Sequence, residues 1–60
     1  MENILWKPSD LIGLLNLGRS TVYNLIASGE LKAIRFGRAV RVPQSTLDEF
    51  IREKLQQQET

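Results

Sequence analysis

The 60-residue chain contains no cysteine and no histidine. Disulfides are therefore excluded, and so are the usual zinc, haem and iron–sulfur sites. The lack of cysteine accords with a reducing compartment. No apolar run approaches the roughly 20 residues of a membrane span. The N-terminus lacks the basic start and apolar stretch of a secretory signal, so the expectation is a soluble cytoplasmic chain. Catalysis is not expected either. Without His or Cys, acid–base work would fall to carboxylates, and these lie on predicted helix surfaces with no cleft in view. Nothing in the sequence calls for a metal, a cofactor or a small-molecule ligand.

One small domain over residues 1–60 is what this length allows, with a core only marginally able to stabilise itself. The ordered part is expected at about residues 5–54. There is no internal repeat, and the single low-complexity tract is the tail "LQQQET", residues 55–60, which is expected to fray.

The formal net charge of +1 conceals segregation. Residues 1–18 carry Lys7 against Glu2 and Asp10, a net of −1. Residues 19–41 carry Arg19, Lys32, Arg35, Arg38 and Arg41 against Glu30 alone, a net of +4. Residues 42–60 carry Arg52 and Lys54 against Asp48, Glu49, Glu53 and Glu59, a net of −2. A basic middle between acidic flanks suits a domain that binds an anionic polymer on one face. Clustering on a merely solvated surface is the plainer alternative.

Hydrophobic periodicity orders the chain. Pro8, Ser9 and Asp10 suit the first turn of a helix, and Leu11, Leu14 and Leu15 follow the i, i+3, i+4 spacing of a buried face. Gly13 within that helix costs roughly 1 kcal/mol relative to Ala, which predicts close packing there against the next helix. The stretch "NLGRSTVYNLI", residues 16–26, then places a turn-like Asn16-Leu17-Gly18 directly before a second apolar helical pattern. Asn and Gly tolerate left-handed backbone, so the chain turns sharply. A second helix follows from about Arg19 to Ser28, with Val22, Leu25 and Ile26 inward and Gly29 as its stop.

After Gly29 the period becomes two. Ile34 and Phe36 alternate with Arg35, and Val40 and Val42 alternate with Arg41, around a Gly37-Arg38-Ala39 connection. That predicts a hairpin with its apolar residues facing the core and its arginines facing out. Pro43 ends the second strand. "STLD" at 45–48 has the capping-box spacing, with Ser45 as cap and Asp48 in place of Glu. Leu47, Phe50, Ile51 and Leu55 form the stripe of a third helix. Helix, turn, helix, hairpin, helix is the α+β layout of a winged helix-turn-helix: a two-stranded wing and a C-terminal helix.

These residues also resemble a known family. "RSTVYNLIASGEL", "AIRFGR" and "VRVPQSTLDEFI", in this order and spacing, are similar to the small excisionase-type and AlpA-like DNA-binding proteins with a MerR-like winged helix. The resemblance covers roughly residues 5–54. It implies a small phage or mobile-element protein of the bacterial nucleoid that binds DNA near attachment sites or promoters. Some members are recombination directionality factors, which bend DNA and help a tyrosine integrase excise the element. Others regulate transcription. The chain departs from the common pattern at Lys7, where a capping Thr or Ser is frequent, at Asn16 and Gly18, and at Val40, where the wing often carries a bulky residue.

Apart from the resemblance, the physics of a DNA contact can be read from the helical period. With Val22, Leu25 and Ile26 inward, Ser20, Tyr23, Asn24 and Ala27 face outward, flanked by Arg19 and Thr21. Arg19 can reach a guanine edge or a phosphate, with a merely solvated first-turn residue as the alternative, and Asn24 can read an adenine. Ser20, Thr21 and the open N–H groups of the helix start suit a phosphate. Tyr23 can donate to a phosphate or pack its ring on the first helix. On the wing, Arg35, Arg38 and Arg41 suit phosphates or a narrow minor groove, with Arg38 at the tip; arginines that merely keep an exposed hairpin soluble are the alternative.

One such domain would bury only about 600–1,000 Å² of its surface on DNA, so several copies are expected side by side. The acidic third helix would then be free to touch a neighbouring copy or an integrase. Three readings stay open: an excision factor, a transcriptional regulator with the same surface, and a protein-interaction adaptor.

Overall fold

The computed structural model describes residues 4–58. Its elements are β1 (Leu5–Trp6), α1 (Pro8–Leu15), α2 (Arg19–Ser28), β2 (Ile34–Phe36), β3 (Ala39–Pro43) and α3 (Gln44–Gln58). The strands form an antiparallel sheet in the order β1-β3-β2. This is a winged helix-turn-helix, with one strand more than the expected wing. Leu11, Val22, Leu31, Val42, Leu47 and Phe50 make the buried core, so every helix and the central strand contribute. Trp6, Ile12, Leu15, Leu25, Ile26 and Ala33 pack around it. Burying each large side chain stabilises the fold by about 1.5–3 kcal/mol.

Helix α1 starts where proline predicts. Lys7 is the extended N-cap residue, Pro8 opens the first turn, and the Lys7 backbone N–H donates to Asp10 Oδ2 at 3.1 Å. Its inward stripe is Pro8, Leu11, Ile12 and Leu15, whereas Leu14, expected inward, is 53% exposed. Leu11 and Leu15 are compatible with a face centred toward either Ile12 or Leu14. Pro8 and Ile12 together decide it. Gly13 is likewise not a packing glycine, because a Cβ there would meet nothing within 4 Å. The helix ends at Asn16, left-handed at φ 56°, and the Leu17 N–H bonds back to the Ile12 carbonyl at 3.2 Å.

Helix α2 has the expected limits, and Gly29 closes it at φ 88°. The Leu31 N–H then donates to the Leu25 carbonyl at 3.1 Å, folding Leu31 into the core.

The hairpin differs from expectation in register. Its turn is the two residues Gly37-Arg38, with Gly37 at φ 62° and Arg38 at negative φ, the pattern of a type II′ turn. Phe36 therefore pairs with Ala39, Arg35 with Val40, and Ile34 with Arg41. Had Ala39 belonged to the loop, all four apolar residues would share a face. One residue of slip reverses that. Val40 and Val42 keep the core face, while Ile34 and Phe36 lie on the outer face and are 42% and 53% exposed. Arg35 shares a face with Val40, and Arg41 takes the opposite one.

Helix α3 begins at Gln44, so Ser45 lies inside it and is not a cap. Asp48 Oδ1 accepts instead from Gln44 Nε2 at 2.8 Å. Gln44 also ties the helix to β1: its N–H donates to the Ile4 carbonyl at 2.8 Å, and its Oε1 accepts from the Trp6 indole at 2.7 Å. The Thr46 hydroxyl is shared between the carbonyls of Lys32 and Pro43, at 2.8 and 3.0 Å. Only Leu47 and Phe50 of the expected stripe are buried. Ile51 and Leu55 are exposed, and Lys54 takes the next inward place, over the Phe50 ring and 2.9 Å from Glu30. Of the tail expected to fray, residues 55–58 are helical and 59–60 lie outside the described residues.

Candidate nucleic-acid interface

The turn at Asn16-Leu17-Gly18 delivers the start of α2 to the surface. Gly18 is its N-cap, extended at φ −70°, and no side chain caps the helix. The first turn holds no acid. Its N–H groups and the positive end of the helix dipole therefore face outward unneutralised. Arg19, Ser20, Thr21, Tyr23 and Asn24 are all exposed, because burying Val22, Leu25 and Ile26 turns that side away from the core. The Arg19 guanidinium lies over the Tyr23 ring, 5.8 Å from its centroid. Tyr23 is thus supported by Arg19 on its own helix and remains open to solvent.

The wing arginines do not form one row. Arg38 stands at the turn and Arg35 is exposed on β2, but Arg41 is half-buried and its Nη1 donates to the Val40 carbonyl at 2.8 Å. Two grooves divide them. A groove of about 290 Å³ is lined by Lys7, Pro8, Ser9, Tyr23 and the wing residues 38–41. A second, of about 350 Å³, is lined by Ile26, Gly29, Leu31, Lys32, Ala33 and Arg35. Tyr23, Arg38 and Arg41 are therefore brought together, and Arg35 is set apart beside Lys32. Among the described residues the ion pair within 4 Å is Lys54–Glu30, so no described carboxylate neutralises these cations directly. Neither is there, among the described residues, a cluster of His, Cys, Asp or Glu that could hold a metal ion.

Comparison with known proteins agrees with this geometry. A family described as a helix-turn-helix domain matches residues 8–55. The chain belongs to that helix-turn-helix family. In this helix-turn-helix protein the matched region runs from the first residue of α1 into the last turns of α3, so it includes the wing as well as α1 and α2. A curated relative, the probable excisionase of Saccharopolyspora erythraea, is 41% identical over 57 residues. Those residues are 95% of this chain but 58% of that protein, so the chain spans under two thirds of its relative's length. No solved structure matches the chain. The chain is thus a helix-turn-helix protein similar over most of its length to a probable excisionase, and among its described residues no helix is long and apolar enough to cross a membrane.

Two cationic positions of this surface escape sequence patterning. Lys32 sits in an aperiodic connection. Lys7 precedes α1 and reaches the wing only through the pairing of β1 with β3.

Proposed function

We propose that this chain is an excisionase that binds double-stranded DNA, with α2 in the major groove and the wing against the minor groove or its phosphates. In this reading it bends attachment-site DNA so that a tyrosine integrase can excise a phage or mobile element. The observation that carries the reading is the open, acid-free start of α2, set beside a wing whose cations have no described carboxylate partner. Arg19 and Asn24 then read base edges. Ser20, Thr21 and Tyr23 hold phosphates, and Arg35, Arg38 and Arg41 engage the wing's side of the duplex. Likeness to a probable excisionase supports excision over other uses of the same surface. Copies bound side by side supply the specificity that one small domain lacks.

The test is a titration on DNA from the gene's own flanking region at two salt concentrations, with bending read from gel mobility. Specific, steeply salt-dependent, multi-copy binding with bending is the expected result. Asn24→Ala should cost about 1–3 kcal/mol and relax base preference, whereas Arg38→Ala should weaken all sequences alike. A single unbent promoter site would favour a transcriptional regulator. Absence of binding at low salt would sink both and leave an adaptor for an acidic protein.

A further inference from the structure

The groove between α1, Tyr23 and the wing collects Lys7, Arg38 and Arg41 with Tyr23, and no acid lines it. The sheet sets two of these cations against each other. β1 pairs with β3 through Trp6↔Val42, and one further step along that register brings Lys7 alongside Arg41. Like charges directly opposite each other on neighbouring strands are destabilising, and a nearby negative charge would relieve them. None of the described carboxylates lies within 4 Å of either. Asp10, next to Lys7 at the helix start, takes the Lys7 backbone N–H at 3.1 Å and does not line the groove. The Arg41 guanidinium is fixed by its bond to the Val40 carbonyl, so it cannot simply swing away without losing that partner. The four side chains come from separate places: the β1–α1 junction, α2, the wing turn and β3. Their convergence is thus a product of the tertiary fold.

We infer that this groove seats one backbone phosphate of the bound duplex, with Lys7 as the ligand that joins the start of α1 to the wing. The inference rests on the DNA-binding reading above and gives it a geometric pivot. A phosphodiester carries the charge that relieves the Lys7–Arg41 opposition. A lysine ammonium meets it as a compact charge, while Arg38 offers a planar fork. Tyr23 places the same phosphate beside the recognition helix. The contact carries no sequence information and fixes the angle at which helix and wing meet the duplex.

The experiment compares wild type, Lys7→Gln and, as control, Arg52→Gln on α3, measuring affinity for the flanking-region duplex across a salt series. Lys7→Gln keeps the backbone N–H that Asp10 accepts, so circular dichroism should show an unchanged fold. We expect it to weaken binding about three- to tenfold and to lower the salt slope by about one ion, as loss of one phosphate contact does. Arg52→Gln should leave both unchanged. Replacing single phosphates of the duplex by neutral methylphosphonates should then reveal one position that weakens wild type more than it weakens Lys7→Gln, which keeps Arg38, Arg41 and Tyr23 on that phosphate. Steep, salt-dependent wild-type binding with Lys7→Gln indistinguishable from Arg52→Gln would overturn the phosphate seat and leave DNA binding intact. Absence of wild-type binding would instead remove the DNA reading itself, and the seat with it.

Discussion

The two helices of the helix-turn-helix begin in opposite ways. At α1 an extended Lys7 and Pro8 lead to Asp10, whose carboxylate closes on the Lys7 N–H. At α2 an extended Gly18 leads to Arg19, Ser20 and Thr21, with neither a capping side chain nor an acid. Asp10 and Thr21 occupy the same place, the third residue of their helices. One start is neutralised from within, and the other leaves its donors and its dipole open to solvent. Leaving Gly rather than Ser at a cap costs only a few tenths of a kcal/mol. An uncapped helix start is therefore compatible with the small core of a 60-residue chain.

Copying the closed start onto the open one should have the largest effect. Thr21→Asp puts a carboxylate where α1 carries Asp10, within reach of the Gly18 N–H and against any approaching phosphate. Affinity for the flanking-region duplex should fall by about tenfold or more, since like-charge juxtaposition at an interface costs several kcal/mol. Stability should rise by about 0.3–1 kcal/mol through the helix dipole. Titration together with urea unfolding checks both. A variant that binds as tightly as wild type would show that the start of α2 does not meet the phosphate backbone.

The reverse exchange separates stability from binding. Asp10→Thr removes the acceptor of the Lys7 N–H and should lower unfolding free energy by about 1 kcal/mol, the usual cost of a lost cap. DNA affinity should not fall, because Asp10 lies at the start turned inward on its own backbone. If affinity fell with stability held by low temperature, the two starts would not be as separate as their geometry indicates.

Much of this contrast is legible in the amino-acid sequence. The limits of α2 follow from Gly18 and Gly29, and its outward face follows from three apolar residues at helical spacing. The hairpin register is not legible, because Ile34/Phe36 and Val40/Val42 are separate alternating runs. Their relative phase depends on turn length, and alternation says nothing about whether Ala39 ends the turn or starts the strand. β1 leaves no signal because two residues carry no period, and it exists only by virtue of its pairing with β3. Leu31 is hidden for a related reason: it lies in a connection and is buried by the fold-back after Gly29. The candidate site divides along the same line. Residues on α2 can be read from the period of one helix, whereas Lys7 requires a sheet that no local pattern announces.

The mildest change at the start of α2 is a single added hydroxyl. Gly18→Ser restores a capping hydroxyl to α2 without adding charge. The position tolerates a side chain: its φ of −70° is ordinary, and a Cβ there would meet Thr21 Oγ1 at 3.9 Å, a normal contact. The serine hydroxyl would accept from an N–H of the first turn, so stability should rise by a few tenths of a kcal/mol in urea unfolding. Only one of the open donors is consumed, and the dipole is left in place, so DNA affinity should change by less than about twofold. Thr21→Asp alters both the donor and the local charge, so the pair of variants tells which of them the duplex uses. Equal losses in both would mean that phosphate is held by the N–H donors themselves. A loss confined to Thr21→Asp would mean that the field at the end of α2, rather than any single hydrogen bond, draws the DNA backbone to it.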